Sequence, residues 1–399
     1  MDTHQGVAPP VPLQEIDVHT DTRQILEREN RRIGREQLAD LYIVDVDSHH
    51  TETESWTNIL EYIEDPVVRE NALTVQKVRA GNAYMYSPGG GVAHQDVAGR
   101  ILHQASRREK VEETDVHRDV VLARRAMDSM GIDCTILFPT PLLALAEHPQ
   151  LEIMVQLGKA YTRFVTEVLL PQENRLKTVV FLPLADPRES LKIVRRFAET
   201  PGVVGFMVTG QTPKPVHNNE LMPVYAELEE RGLPLVFHAG FNWNDPSMRL
   251  MNRFVGMHAL SFVICNMVHM TNWVVNGMQE RFPKLKVVWV ESGLAWVPFL
   301  MQRLDNEFLM RPSEAPMLKR PPSEYMRDMY FASQPMERTD MEALRNTMRM
   351  INAENQLLYS SDWPHWDFDA PSVIYDLPFL SEQAKRNILG LNAKRIFNL

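Results

Sequence analysis

The chain has 399 residues, of which 44% are hydrophobic and 24% charged, a composition typical of a globular protein with a large core. Its 42 basic and 52 acidic residues give a net charge of −10, so its surface repels the phosphates of nucleic acids and anionic lipids. These values argue against nucleic acid and membrane as partners. They do not exclude an anionic small-molecule substrate, because a bound metal can dominate the local field.

The N-terminal region has no basic start followed by an apolar core, so it does not read as a secretory signal. No uninterrupted apolar run reaches the roughly 18 residues that a membrane helix needs, and the best candidate, 259–275, is broken by polar side chains. Cys134 and Cys265 each lie in an apolar stretch and are predicted to be buried free thiols. The sequence therefore predicts a cytoplasmic protein.

The first 40 residues are predicted to lie outside the main domain. Residues 1–20 are Pro-rich and polar and are expected to form an arm. Residues 21–40 are heavily charged with sparse Ile and Leu, which predicts a surface helix. Residues 41–399 are expected to form one domain.

Within that domain, short apolar runs alternate with longer amphipathic segments. Eight runs are predicted as buried strands: YIVDV (42–46), CTILF (134–138), TVVFLP (178–183), VVGFMV (203–208), LPLVFH (233–238), LKVVWVE (285–291), MYFAS (329–333) and LLYSS (357–361).

The segments between these runs are long enough for one helix each. Residues 189–199 and 221–232 have apolar side chains at helical spacing, and Gly232 is a plausible helix C-cap. Eight strands alternating with helices indicate an α/β fold, a (β/α)8 TIM barrel, although a doubly wound sheet has the same alternation. Two stretches break the repeat, and we expect 66–120 to cross the barrel mouth and 305–328 to reach a neighbouring subunit.

Polar side chains collect where the predicted strands end. Asp47, His49 and His50 follow the first strand, His238 ends the fifth, Glu291 ends the sixth and Asp362 follows the eighth. The carboxyl end of the strands carries the active site in a TIM barrel. Imidazole together with carboxylate suits Zn²⁺, Mn²⁺ or Fe²⁺, so this pattern indicates a divalent metal site.

Each of these residues also has an ordinary structural explanation. A single His at a strand end is more often hydrogen-bonded than metal-bound. Asp362 precedes Trp-Pro and could cap a turn, and Glu291 could pair with Arg303 one helix later. The conjunction of His and carboxylate across four strands is what favours the metal site.

Several stretches together resemble the amidohydrolase superfamily, in the branch of aminocarboxymuconate-semialdehyde decarboxylase and related aromatic acid decarboxylases. These stretches are VDVDSHHTE (44–52), GIDCTILFP (131–139), GVVGFMV (202–208), LVFHAG (235–240), GMQERFPKLKVVWVESGLAWVPFLMQRLD (277–305), LLYSSDWPHWD (357–367) and NILGLNAKRIFNL (387–399). The resemblance implies a TIM barrel, one divalent metal ion and a homodimer.

The resemblance also implies which residues hold the metal. Asp47 and His49 match the ligand pair of the first strand, with Asp47 where a His is often found. His238 matches the ligand of the fifth strand. Asp362 matches the aspartate of the eighth strand, which touches both the metal and its bound water or substrate. Zn²⁺ is the ion expected first and Mn²⁺ second.

One motif departs from the family. The decarboxylase branch commonly has a His after the sixth strand as general acid/base, whereas this chain has Glu291. A buried carboxyl group whose pKa is raised can also transfer protons. If Glu291 is structural, the remaining histidines that could serve are His258, His269, His50 and His365, of which His269 and His365 are preferred.

The function expected from these residues is metal-dependent, non-oxidative decarboxylation of an aromatic or unsaturated carboxylic acid. Asp362, Glu291 or a nearby His would handle the proton. Hydrolysis of an amide, ester or lactone at the same site is the alternative, and a non-catalytic barrel is a third hypothesis.

Specificity is expected from the loops 84–96 and 241–258. Five tryptophans close to strand ends could sandwich a planar substrate, although packing is the commoner role: Trp56, Trp243, Trp296, Trp363 and Trp366.

Overall fold

The computed structural model describes residues 16, 20–33, 38–79, 111–112, 114–210, 212–240, 245–248 and 250–399. The predicted arm, apart from residues 16 and 20, and the predicted specificity loop 84–96 lie outside the described residues, as do residues 241–244 and 249 of the second predicted loop.

Eight parallel strands form one sheet in chain order. They are β1 (Val44–His50), β2 (Cys134–Pro139), β3 (Leu176–Phe181), β4 (Val203–Thr209), β5 (Leu235–His238), β6 (Val287–Val290), β7 (Tyr330–Ala332) and β8 (Leu357–Leu358). Each overlaps one of the predicted apolar runs, because a strand covered by helices on one side and by the core on the other must be apolar on both faces.

The α-helices surround this sheet. They are α1 (Thr22–Ile33), α2 (Trp56–Glu61), α3 (Pro66–Arg79), α4 (Arg118–Met130), α5 (Leu151–Phe164), α6 (Pro187–Phe197), α7 (Met222–Arg231), α8 (Phe254–Val275), α9 (Met278–Arg281), α10 (Trp296–Met310), α11 (Pro322–Met326), α12 (Met341–Met350), α13 (Ala353–Gln356), α14 (Ser372–Tyr375), α15 (Glu382–Arg386) and α16 (Asn392–Phe397).

The sheet closes on itself between β8 and β1. Val46 donates its backbone N–H to the carbonyl of Tyr359 at 3.0 Å, and Asp362 donates to the carbonyl of Asp47 at 2.7 Å. The buried carboxylate of Asp45 reinforces this seam by accepting from the backbone N–H of Ser361 at 2.8 Å and from its hydroxyl at 2.5 Å. The molecule is therefore a TIM barrel, as predicted, and not a doubly wound sheet.

The closure also positions the site. Strand β1 runs to His50, beyond the predicted 42–46, so Asp47 and His49 lie within the strand and not after it. Its pairing with β2 shifts register between Asp45 and Ser48. Such an irregularity re-aims a side chain at the rim of a barrel.

The irregular stretches contain more helix than the sequence suggested. The stretch 66–120 starts with α3, and its residues 80–110 lie outside the described chain. The stretch 305–328 begins inside α10 and includes α11. Helix α1 occupies the predicted surface segment, but it buries Leu26 and Glu29, which are only 5% and 3% exposed.

Both cysteines are buried and free, as predicted. By length and composition alone, α8 could cross a membrane, a test that core helices of water-soluble proteins also pass. In the barrel it buries Cys265, Met270 and Trp273, and the indole of Trp273 meets the rings of Phe237 and Tyr225 edge-on. These contacts place α8 in the outer helical layer.

Candidate metal centre

Two residues of β1 form the first part of the site. Asp47 and His49 are two positions apart, so both side chains point to the same face of the strand. Both are buried, at 0% and 2% exposure. The Nε2 atom of His49 lies 3.3 Å from Oδ1 of Asp47.

His238 at the end of β5 joins this pair, with its Nε2 atom 3.2 Å from the same Asp47 oxygen. Backbone carbonyls fix the orientation of both imidazoles. Nδ1 of His49 donates to the carbonyl of Pro139 at 2.8 Å, and Nδ1 of His238 donates to the carbonyl of Ala239 at 2.7 Å. Since a carbonyl only accepts, each neutral ring carries its proton on Nδ1 and presents the lone pair of Nε2 to the site. This is the orientation that metal-binding histidines adopt.

Asp362, four residues after β8, brings a second carboxylate. Its Oδ1 atom lies 3.1 Å from Nε2 of His49 and 2.6 Å from Nδ1 of His365. Its backbone adopts φ = 63°, a left-handed conformation that is uncommon for a residue with a side chain. Burial raises the pKa of Asp362, but the neighbouring His365 and His49 outweigh burial and hold that pKa below its usual range. Asp362 is therefore ionised.

Burial and the neighbouring charges act in opposite directions on the pKa of His49. Burial disfavours the imidazolium, but the carboxylates of Asp47 and Asp362 outweigh burial and raise the pKa of His49 well above its usual value. Positive charge is thus strongly favoured at this point. A divalent cation would supply it with the imidazole neutral.

The donor atoms themselves fit a divalent metal. Asp47, His49 and His238 form one group with ligand atoms within 4.8 Å of one another, and His49, Asp362 and His365 form a second. Oδ2 of Asp47 and Nε2 of His49 are buried without an aligned hydrogen-bond partner in the described part of the chain. Bare acceptor atoms that converge in this way are costly unless a cation or a proton lies between them.

Glu291 lies directly after β6, and its backbone also adopts a left-handed conformation, with φ = 56°. Its Oε2 atom is 3.4 Å from Nδ1 of His238. Burial, assisted by the charge of Asp362, raises the pKa of Glu291 well above its usual value, so this carboxyl group favours its protonated form. The alternative pairing with Arg303 is wrong, because the Arg303 guanidinium bonds Glu307 at 3.0 Å.

The four histidines whose roles the sequence left open lie in different parts of the structure. His365 lies in the cluster, and its ring centroid is 4.3 Å from that of His49. His269 is buried on α8 and donates from Nε2 to the carbonyl of Gly210 at 2.9 Å, and among the described contacts none joins it to the cluster. His50 bonds Asp119 at 2.7 Å. His258 lies 3.8 Å from Asp367 and lines a neighbouring cavity.

That cavity measures about 820 Å³ and reaches Glu291. Of the five tryptophans considered for substrate binding, Trp366 lines this cavity, whereas Trp56, Trp296 and Trp363 are buried at 3%, 6% and 7% exposure and Trp243 lies outside the described residues.

Among the polar residues of the cavity wall that sequence reasoning missed are Gln334, Arg338 and Asp367. A signal for Gln334 was present, because it follows the run MYFAS as Asp362 follows LLYSS.

Comparison with known proteins identifies a family and several relatives. Residues 115–399 match the sequence model of a family described as amidohydrolase. Gamma-resorcylate decarboxylase from Rhizobium sp. is 22% identical over 289 residues, which cover 69% of this chain and 86% of that protein. A second gamma-resorcylate decarboxylase, from Polaromonas sp., is 23% identical over 293 residues, with the same two shares covered.

Solved structures share the fold. 5-Carboxyvanillate decarboxylase from Sphingomonas paucimobilis superposes with a TM-score of 0.63 at 20% identity, covering 90% of this chain and 99% of that chain. Dihydroxybenzoic acid decarboxylase from Polaromonas sp., solved with manganese and the inhibitor 2-nitroresorcinol, gives a TM-score of 0.65 at 18% identity, covering 90% and 97%.

These matches confirm the predicted fold and the predicted family with its decarboxylase branch. The family match begins after β1, so the assignment of Asp47 and His49 as ligands rests on the geometry described above.

Proposed function

The chain belongs to the amidohydrolase family, and from that premise we propose that it is a metal-dependent, non-oxidative decarboxylase of an aromatic carboxylic acid. The observation that carries the proposal is a buried cluster around His49 beside Glu291 and its cavity. In this cluster Asp47 and His238 form one group of possible ligands with His49, and Asp362 and His365 form a second. The relatives named above act on carboxylated phenols, which supports the same reaction class.

Asp47, His49, His238 and Asp362 would hold one divalent ion. We propose Zn²⁺ as the ion suited to mixed imidazole and carboxylate ligands, with Mn²⁺, the ion in the Polaromonas structure, as the alternative. The ion would act as a Lewis acid that binds the substrate carboxylate and steadies negative charge. The seam between β1 and β8 holds Asp47 and Asp362 together, since their backbones are hydrogen-bonded at 2.7 Å.

Proton transfer is assigned to Glu291 and to the pair Asp362–His365. Decarboxylation breaks the bond between the ring carbon and the carboxyl carbon, and a proton must reach that ring carbon as carbon dioxide leaves. Glu291 suits the donor role because its pKa is raised by burial and by the charge of Asp362, and because it lines the cavity. His269 stays a predicted catalytic residue, although its Nε2 atom is engaged by the carbonyl of Gly210.

We also propose that the chain forms a homodimer and lies in the cytoplasm. Both proposals agree with the family resemblance, and the location also agrees with the two free cysteines. Sedimentation velocity of the purified chain measures the first, and fractionation of cells that express the chain measures the second.

Product analysis tests the proposed reaction. The Zn²⁺- or Mn²⁺-loaded protein is incubated with hydroxylated aromatic acids, among them 2,6-dihydroxybenzoate, and carbon dioxide and the phenolic product are quantified. We expect equal amounts of both from at least one acid and none with Asp362→Asn. Cleavage of an amide, ester or lactone in place of carbon dioxide release would favour the hydrolase alternative and overturn the decarboxylase.

A further inference from the structure

The cavity beside Glu291 is larger than one substituted ring requires. Its volume of about 820 Å³ lies in the upper part of the range for sites that enclose whole drug-sized ligands. Trp366, Phe262 and Met336 contribute an apolar wall. A single-ring acid bound at the metal centre would therefore leave most of the cavity for a further part of the substrate.

Gln334 is the clearest sign of a ligand in this wall. It follows β7, which lies between the strands that deliver Glu291 and Asp362. Its backbone N–H donates to the hydroxyl of Ser360 at 2.9 Å, which fixes its position. The residue is 0% exposed, and neither Nε2 nor Oε1 has a hydrogen-bond partner among the described residues. A buried amide without partners destabilises the fold, so its retention indicates a ligand that hydrogen-bonds to it.

Arg338 adds a positive charge to the same wall. Oδ1 of Asp369 lies 3.5 Å from Nη1 of Arg338, which is longer than the distance in a good charge-assisted hydrogen bond. Its Nε atom is buried and has no partner in the described part of the chain. A guanidinium stays charged at all relevant pH values, so Arg338 still has hydrogen-bond donors to offer to an anion.

Asp369 balances part of this charge, whereas the hydrogen bonds of Glu337 in the same wall go to other groups. The carboxylate of Glu337 accepts from the backbone N–H groups of Leu294 and Ala295 at 2.9 and 3.2 Å. The carboxyl group of Asp367 faces His258, with its Oδ2 atom 3.8 Å from Nε2.

We propose that Gln334 and Arg338 bind a second carboxylate on the substrate, distant from the one that is removed. Nε2 of Gln334 and the Arg338 guanidinium would donate to this carboxylate, and Oε1 of Gln334 would accept from a hydroxyl group or a water. The substrate is then an aromatic acid extended by a group that carries a distal carboxylate. This inference rests on the proposed function only in placing the reacting carboxylate at the metal centre.

Binding of analogues that cannot react tests the proposal separately from turnover. In each analogue a nitro group replaces the reacting carboxylate. Two matched pairs are 2-nitrophenol with 4-hydroxy-3-nitrobenzoate, and 4-hydroxy-3-nitrobiphenyl with its 4′-carboxylate. The Mn²⁺-loaded full chain is titrated with each by calorimetry. We expect the carboxylate to tighten binding about tenfold or more in at least one pair, the effect of a charge-assisted hydrogen bond.

Variants then identify the residues responsible. Arg338→Met and Gln334→Met should each bring the affinity ratio of that pair towards one while binding of the uncarboxylated analogue is unchanged, and Arg338→Lys should keep part of the ratio. Arg345→Met, on the exposed face of α12, is the matched control and should keep all of it. A ratio near one in the natural protein, or one that survives Arg338→Met and Gln334→Met, overturns the proposal.

The outcomes separate this inference from the proposed function. If salicylate is decarboxylated while the affinity ratio stays near one, the distal carboxylate site is wrong and the decarboxylase stands. If the ratio depends on Arg338 while none of the corresponding acids releases carbon dioxide, the distal site stands and the decarboxylase is wrong.

Discussion

Two clusters of polar groups, one at each end of the barrel, differ in how their side chains are paired. At the carboxyl ends of the strands, atoms of Asp47, His49, Glu291 and Gln334 are buried without hydrogen-bond partners in the described chain. At the amino end, just before β3, the carboxylate of Glu173 accepts from Arg124 at 2.7 Å and from Arg175 at 3.2 Å.

This difference separates function from stability. A paired network such as that of Glu173 contributes to the free energy of unfolding and needs no ligand. A cluster of unpaired buried groups lowers that free energy, and a fold retains it where a ligand or metal completes it. In TIM barrels the carboxyl end carries the active site and the amino end contributes mainly stability.

The largest effect is expected for Asp362→Asn. The substitution removes the charge that faces His49 and His365, and turnover should fall by at least about a hundredfold. The fold should persist, because the backbone bond from Asp362 to Asp47 does not depend on the carboxylate. The measurement is kcat together with circular dichroism, and near-normal activity would refute the assigned role.

Glu291→Gln should lower kcat by about a hundredfold or more while the bound metal is unchanged, since the amide cannot release a proton. Rate assays and elemental analysis of the same preparation check this. Loss of metal together with activity would instead make Glu291 a ligand.

A smaller effect, on stability and not on activity, is expected for Glu173→Gln at the amino end. Burial opposes the charge of Glu173, but the hydrogen bonds from Arg175 and Arg124 outweigh burial and lower its pKa from 4.5 to about 2. Allowing for solvent screening, the substitution should cost about 1–2 kcal/mol in the free energy of unfolding at neutral pH.

The pH dependence of this cost has a definite sign. A carboxyl group whose pKa is lower in the folded state stabilises the fold above its unfolded pKa and loses that contribution as the pH falls from 4.5 towards about 2. Urea unfolding of both proteins at pH 7 and pH 3 should show the difference shrinking at the lower pH. A difference that stays constant would mean that charge is not its source.

The smallest effect is expected for Lys192→Ala. The Lys192 side chain is 71% exposed, and its partner Glu189 also bonds Lys159 at 2.8 Å. Exposed pairs of this kind contribute less than about 0.5 kcal/mol. Urea unfolding measures the change in the free energy of unfolding. A loss above about 1 kcal/mol would show that exposed ion pairs contribute substantially to the stability of this protein.

The sequence was sufficient to predict the strands and to place the candidate metal ligands on one rim, because both depend on local pattern. Apolar runs mark the barrel strands. Polar residues at the carboxyl ends of these strands lie on one rim, however the surrounding helices pack. The sequence singled out Asp47, His49, His238, Asp362 and His365, and the structure places them in two groups of possible ligands that share His49.

Features that depend on partners far away in the chain could not be predicted. The hydrogen bond of His269 to Gly210 requires knowing how α8 packs against the end of β4. The role of Asp45 at the seam requires the register of β1 against β8. Gln334 was overlooked because a glutamine has no ordinary metal chemistry, and its meaning comes from burial without partners.

Metal binding by the stripped protein tests the central claim most directly. The chain is freed of metal with a chelator, titrated with Zn²⁺ or Mn²⁺ by calorimetry, and compared with Asp47→Ala and His238→Ala. The geometry predicts about one ion per chain, a rise in melting temperature on binding, and loss of both in His238→Ala with weakened binding in Asp47→Ala. Absence of binding in the natural chain, or binding unchanged in both variants, would contradict the account.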